Sequence, residues 1–289
     1  AKGCEPDKAA HAARSGRQSR HMNNQRPHPL NRDFRWEKRP TEGLRRLTPP
    51  EVAQFDQRGF ARLEGVFSEE ELEAVIAAID PIEARRETWL KVHAGGKSFI
   101  NEADVITFTT HLVVRSPVLR GFAADRKIQA ICHDLIGPRV RLYWDQAVYK
   151  KTGRQQEFPW HQDNGYTFIE PQQYLTLWIP LVDVDEENGC PWVATGLHLG
   201  GTLAHWLTDI GLQCLETSAE AAAVPAKAGD IVAFSSLTPH RTGPNRRAGT
   251  VRKAYILQYA PDGAETIRDG ERIRQDDPER QFLILDEAA

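Results

Sequence analysis

The sequence predicts a mainly β protein with helical cover, of the β-sandwich or jelly-roll type, and three observations carry that prediction. From Arg139 onward apolar residues recur with a period of two, in short runs separated by Gly, Asn, Pro and Asp turns. Between residues 47 and 136 the period is helical instead. The 289 residues, 40% of them hydrophobic, are enough to bury one large core, so no second domain is needed.

Residues 1–46 carry twelve Lys or Arg against five Asp or Glu, with almost no apolar periodicity, and are expected to stay disordered. The only methionine, Met22, follows Ser19-Arg20-His21 like the remnant of a cloning site, so residues 1–21 read as non-native. The alternative is a basic arm that binds a partner. A single domain is expected over 47–289. Thr48, ahead of Pro49-Pro50-Glu51, caps a first helix through Val52, Phe55 and Phe60. Ser68-Glu-Glu-Glu71 is a capping box, and Leu72, Val75, Ile76 and Ile79 follow at helical spacing until Asp80-Pro81 ends the helix. Residues 82–110 read as an irregular insertion with a turn or hinge at Gly95-Gly96, and Pro117 to Ile136 as one amphipathic helix closed by Gly137-Pro138.

In the run from Arg139, Val140, Leu142, Trp144, Gln146 and Val148 share one face. An amide among those apolar residues is costly to bury without a partner. Gln146 is therefore either tied to backbone or used, with Trp144, to contact a substrate in a mostly apolar pocket. Further strands are expected at 174–182, 190–195, 230–236 and 250–259, with a long loop at 197–222.

A net charge of −3 argues against nucleic acid or an anionic membrane as the main partner, and no apolar run has the length of a membrane span. Cys4, Cys132, Cys190 and Cys214 lack the paired spacing of a zinc site and read as free thiols of a cytoplasmic protein.

His161-Gln162-Asp163 is the one His-x-Asp in the chain. In an extended strand residues two apart point the same way, so this His and Asp can reach one metal ion. Two imidazoles and a carboxylate on one face of an octahedron is the ligand set of non-haem Fe(II) oxygenases. His240, at the rim of the apolar run Ile231 to Leu237, is the candidate third ligand.

The ordered series around these residues runs Phe158-Pro-Trp-His-Gln-Asp163, Tyr174-Leu-Thr-Leu-Trp-Ile-Pro180, Glu187-Asn-Gly-Cys190, Gly196-Leu-His-Leu-Gly200, Ala228-Gly-Asp230 to Pro239-His240, and Arg252-Lys-Ala-Tyr255. It resembles the phytanoyl-CoA dioxygenase family of Fe(II)- and 2-oxoglutarate-dependent oxygenases, over roughly Pro50 to Pro261. The resemblance implies a double-stranded β-helix, the cupin-like jelly roll, with helices outside its major sheet. It implies Fe(II) on His161, Asp163 and His240, with 2-oxoglutarate and O2 as cosubstrates and a small-molecule metabolite as substrate. It places Arg252 on the distal carboxylate of 2-oxoglutarate, a task that suits a planar, permanently charged fork. Thr242 matches a hydroxyl on the same carboxylate, and Trp178 an aromatic lining that pocket. Arg246 and Arg247 are local rivals, set in a turn rather than at the head of an apolar strand. His198 falls in a segment whose role in the family is mainly structural.

The implied reaction hydroxylates a C–H bond with release of succinate and CO2. Desaturation or oxidative cyclisation would use the same groups, whereas halogenases of the family replace the carboxylate that Asp163 keeps. A non-oxidative cupin-type isomerase or metal-binding protein would share the ligands without needing an inward Arg252. Arg241 stands where the family commonly has Gly and is expected to project to solvent. Leu197 replaces the usual Ser, so substrate contacts from that loop do not carry over.

Overall fold

The computed structural model describes residues 25–152, 157–218 and 220–287. The proposed cloning remnant at 1–21 lies outside them. Helix α2 (Glu69–His93) begins at the expected capping box of Ser68 with Glu71, and helix α1 (Pro49–Arg58) at the expected cap Thr48, which also forms a box with Glu51, each side chain accepting the other residue's backbone N–H. The first helix stops short of Phe60, where it was expected to run, because Gly59 closes α1 in the left-handed conformation with φ 81°. A Cβ there would lie 2.4 Å from Thr238 Oγ1, so only glycine fits before strand β1 (Phe60–Leu63).

Pro81 does not end α2, which runs on to His93. A mid-helix proline costs about 3 kcal/mol through its missing donor and its clash one turn back. Tertiary contacts of the second half offset that cost. Ile82 and Leu90 are buried, Glu83 accepts from the Thr107 hydroxyl at 2.7 Å, and Glu87 accepts from the Asp104 N–H at 2.7 Å. The expected irregular insertion is thus half helix, followed by short strands at Lys97–Ser98 and Asn101–Glu102 and by β2 (Ile106–Thr110). The single helix expected over 117–136 is two, α3 (Pro117–Ala123) and α4 (Arg126–Leu135). Asp125 breaks it by accepting the Lys127 N–H at 2.7 Å as an N-cap. Among the described residues no helix is long and apolar enough to cross a membrane.

The two main sheets are completed by β3 (Arg139–Lys151), β4 (Phe158–His161), β5 (Leu175–Pro180), β6 (Pro191–Ala194), β7 (Ala221–Ala223), β8 (Ile231–Ser235), β9 (His240–Thr242) and β10 (Val251–Pro261), while Ile169–Glu170, Trp206–Thr208 and Gly211–Gln213 are short strands outside them. The major sheet runs β1-β8-β5-β10-β3-β2, extended by the two short strands before β2, with Leu283–Asp286 also pairing to β3. The minor sheet is β7-β6-β9-β4, and every pairing in both is antiparallel. One core lies between the helices and the outer face of the major sheet, built from residues such as Leu72, Ile79, Leu177, Ala233 and Leu257. A second lies between the sheets, around Phe108, Val148, Trp178, Val193, Phe234 and Ile256. This is the expected jelly roll with helical cover.

The face assigned to β3 needs correction. Leu142 pairs with Tyr259 and Trp144 with Gln258, so Tyr143 is an extra residue in the ladder. That bulge flips the alternation. Val140 and Leu142 face the helices, while Trp144, Gln146, Val148 and Lys150 face between the sheets.

Residues 25–46 correct the expectation of disorder. Pro27 bridges to Leu203, the Asn31 amide donates to Gly200 O and Thr202 O, and Trp36 stacks edge-on against His198 at 4.6 Å. The strap is anchored by the buried Asp134, which accepts the N–H groups of Arg45, Arg46 and Leu47 at 2.9 Å each. Long polar side chains hid this from the sequence, because backbone rather than apolar periodicity fastens the segment. Asp134→Ala is expected to cost about 3 kcal/mol. It should speed amide exchange at 45–47 ahead of the strands, and unchanged exchange there would contradict the anchor.

Candidate active site

His161 of β4 and His240 of β9 are direct cross-strand partners, with ring centroids 4.1 Å apart. Each ring donates Nδ1–H to the carbonyl two residues back, Pro159 O at 2.8 Å and Thr238 O at 3.0 Å. That fixes the tautomer and leaves both Nε2 atoms free as ligands. Asp163 follows the end of β4, and because Gln162 stays extended its side chain still points the way His161 does. Asp163 Oδ1 lies 3.9 Å from each Nε2, and the three ligand atoms sit within 4.8 Å of one another. Oδ2 accepts from the Thr176 hydroxyl at 2.5 Å, tying the minor-sheet triad to β5 of the major sheet. Burial first, and then the neighbouring His240, push the His161 imidazole well below its ordinary value. It is neutral, as a metal ligand must be.

Gln162, between the ligands, faces the opposite way and is fully satisfied. Its amide donates to Gly201 O at 3.0 Å and Leu237 O at 2.6 Å, and its carbonyl accepts from Leu203 N–H at 2.6 Å. Its backbone N–H donates to His205 Nε2 at 2.9 Å, while His205 Nδ1–H donates to Leu203 O at 2.9 Å. His205, given no role by the sequence, is a neutral buttress whose value burial pushes down to about 4.

A cleft runs inward from the triad between Trp178, Phe234 and Ile256 to Arg252 and Thr242. Arg252 is 1% exposed and donates only to Val148 O, at 3.3 Å. Its Nε and Nη2 have no hydrogen-bond partner among the described residues. Its guanidinium carbon stands 5.5 Å from the Trp178 ring centroid, and burial pulls its value down to about 9. Arg246 is exposed and Arg247 pairs with Asp185 and Glu187, so neither rival points inward.

Lys150, missed by the sequence reading, is the cross-strand partner of Arg252 and 3% exposed. Its ammonium donates to Thr242 Oγ1 at 2.8 Å, Thr242 O at 2.9 Å and Gly243 O at 2.8 Å, which leaves the Thr242 hydroxyl its own proton to donate. Burial and then Arg252 push Lys150 well below its ordinary range. The signal was there: Lys150 continues the alternation of Trp144, Gln146 and Val148.

Toward solvent the triad opens into a cavity of about 490 Å³, lined by Tyr143, Trp144, Gln146, Phe158 and Tyr166 among others. The Trp144 indole donates to Gln146 Oε1 at 3.3 Å, leaving the Gln146 NH2 free of protein partners among the described residues. Arg241 points away from the metal site, as expected, but is sandwiched between Trp160 and Trp192 and paired with Glu157 at 2.6 Å rather than free in solvent.

A two-histidine, one-carboxylate cluster at the mouth of a jelly roll, backed by a buried arginine, is the arrangement of the non-haem iron oxygenases. The family model for phytanoyl-CoA dioxygenase (PhyH) matches residues 55–254. This chain belongs to that family, whose members are Fe(II)/2-oxoglutarate-dependent oxygenases. It is 24% identical to phytanoyl-CoA dioxygenase domain-containing protein 1 of Bos taurus over 83% of this chain and 98% of that one. It is 22% identical to a phytanoyl-CoA dioxygenase of Arabidopsis thaliana, over 82% and 98%. The fold matches the α-ketoglutarate-dependent carbocyclase SnoK of nogalamycin biosynthesis with TM-score 0.67 at 23% identity, covering 82% of this chain and 96% of that one. It also matches the epimerase SnoN, solved with Fe3+, α-ketoglutarate and a nogalamycin compound, with TM-score 0.64 at 21% identity over 81% and 97%.

The His205 buttress sets a requirement at Gly165, where a Cβ would stand 2.0 Å from His205 Cε1. Gly165→Ala should displace the ring and free the Gln162 N–H, lowering Fe(II) affinity about 10- to 100-fold. Calorimetric titration of the apoprotein checks this, and wild-type affinity in the variant would show that His205 does not position the ligand loop.

Proposed function

We propose that this protein hydroxylates an unactivated C–H bond of a small-molecule metabolite, with Fe(II) on His161, Asp163 and His240 and 2-oxoglutarate reaching from the metal to Arg252. The observation that carries the reading is the buried, half-satisfied guanidinium of Arg252 at the end of a cleft that begins at the triad. An uncompensated buried cation is costly, and a dicarboxylate whose other end lies at the metal removes that cost. A metal-binding protein without turnover has no use for it.

When bound, Fe(II) with 2-oxoglutarate and O2 supplies an oxidant able to break such a bond, with succinate and CO2 released. The residues of this chain do the rest. Arg252 offers Nε and Nη2 as a fork to the distal carboxylate, and Thr242, held by Lys150, donates its hydroxyl beside it. Trp178 forms the wall under the guanidinium. Thr176 holds Asp163 in place through Oδ2, leaving Oδ1 for the metal. Phe108, Phe158 and Phe234 line the cleft and keep water from it. Trp144 and Gln146 face the substrate, the indole orienting the amide so that its NH2 points a polar group of the substrate toward the metal.

Conversion of 2-oxoglutarate to succinate should require Fe(II) and O2 and disappear in His240→Ala; full iron loading and turnover in that variant would refute the ligand set. Arg252→Leu should weaken 2-oxoglutarate by about 3 kcal/mol, roughly a hundredfold, while iron affinity stays within a few-fold. The same loss in Arg246→Leu, with Arg252→Leu silent, would place the cosubstrate elsewhere. Gln146→Leu should keep 2-oxoglutarate binding but form more succinate per product, and unchanged coupling would return Gln146 to a structural role.

A further inference from the structure

The large cavity has a wall that the oxygenase chemistry does not use. Arg86 of α2 and Arg115, in the turn after β2, both line it, and among the described residues neither guanidinium has a carboxylate within ion-pair distance. Carboxylates on the same helix are engaged elsewhere: Glu83 with Thr107, and Glu87 with the Asp104 N–H, Lys91 and Lys151. The one carboxylate in the lining is Asp163, which faces the metal position. Apart from that ligand the wall carries two positive charges and no negative one.

Arg86 is half-buried and Arg115 exposed at the cavity rim. The Arg86 guanidinium carbon lies 4.7 Å over the Trp89 ring, a cation–π contact that uses none of its N–H donors. Arg115 ends a turn pinned by the buried Asp145, which accepts the Leu112 and Val113 N–H groups at 2.7 and 3.2 Å. The same lining includes Thr109, 1% exposed, whose hydroxyl has no partner among the described residues. Phe99, Tyr143, Trp144 and Tyr166 supply flat apolar area between this wall and the metal.

We propose that the substrate carries an oxyanion, carboxylate or phosphate, bound by Arg86 and Arg115, on a ring-bearing apolar body that packs against those aromatic residues. This deepens the oxygenase reading and rests on it. The two guanidinium groups anchor one end of the molecule, so the bond to be cleaved is one distant from the anion. An amine-bearing substrate would meet these two charges with Arg252 behind them and be repelled.

The test is anaerobic calorimetric titration of the protein loaded with Fe(II) and 2-oxoglutarate, using 2-naphthoate, 2-naphthyl phosphate, 2-naphthamide and 2-naphthylmethylamine as probes. At low ionic strength one of the two anions should bind at least tenfold tighter than the amide, and the amine weakest. Which anion leads tells carboxylate from phosphate. The preference should shrink with added salt, vanish in Arg86→Gln/Arg115→Gln, and survive in Arg86→Lys/Arg115→Lys. The visible absorption of the iron–oxoglutarate complex, present in all three proteins, certifies that the site is intact. Anions that bind no tighter than the amide, absence of binding included, overturn the proposal, as does a preference that survives the double Gln change. Failure of the absorption to form in the wild type overturns the oxygenase reading itself, and this inference with it.

Discussion

Two basic side chains are shut inside this sandwich. Arg252 and Lys150 are cross-strand partners, each at most 3% exposed, and among the described residues neither has a carboxylate in ion-pair contact. Desolvating each costs several kcal/mol. The fold meets part of that cost by giving the lysine three oxygen acceptors, and leaves the arginine two unused donor atoms. In the proposed reading a dianion meets that arginine from the cleft, and its binding would also stabilise the folded state by mass action.

The two sheets contribute different things. The minor sheet sets His161 against His240 by register, while β5 of the major sheet reaches across through Thr176 to hold the carboxylate between them. The long connection between β6 and β7 is not idle chain. It sends His205 and the Gly201 and Leu203 backbone under the ligand loop, and the strap at 25–46 grips the same segment from outside through Asn31. The bulge at Tyr143 turns β3 so that one end packs on helices and the other looks into the cavity.

The triad and the jelly roll were legible because a His-x-Asp needs only strand alternation to converge, and because short strands with period two announce a sandwich. Arg252 was legible as the basic residue near the head of an apolar strand. What the sequence hid has one common cause, interactions between residues distant along the chain. Pro81 stays helical because Thr107 and Asp104 hold the carboxylates beyond it. Val140 and Leu142 lie on the other face from Trp144 because the bulge shows only in the pairing with β10. The strap looked disordered because Asp134 binds its backbone, and a backbone partner leaves no pattern in side chains. Lys150 was the exception: alternation pointed it inward, but its meaning appears only beside Arg252.

The central claim is that 2-oxoglutarate bridges the metal at His161, Asp163 and His240 to Arg252. Its most direct test is anaerobic addition of 2-oxoglutarate to the Fe(II)-loaded protein, followed by visible absorption. A weak charge-transfer band that saturates at one 2-oxoglutarate per iron is the predicted result; a protein that binds iron but develops no band at saturating 2-oxoglutarate would contradict it.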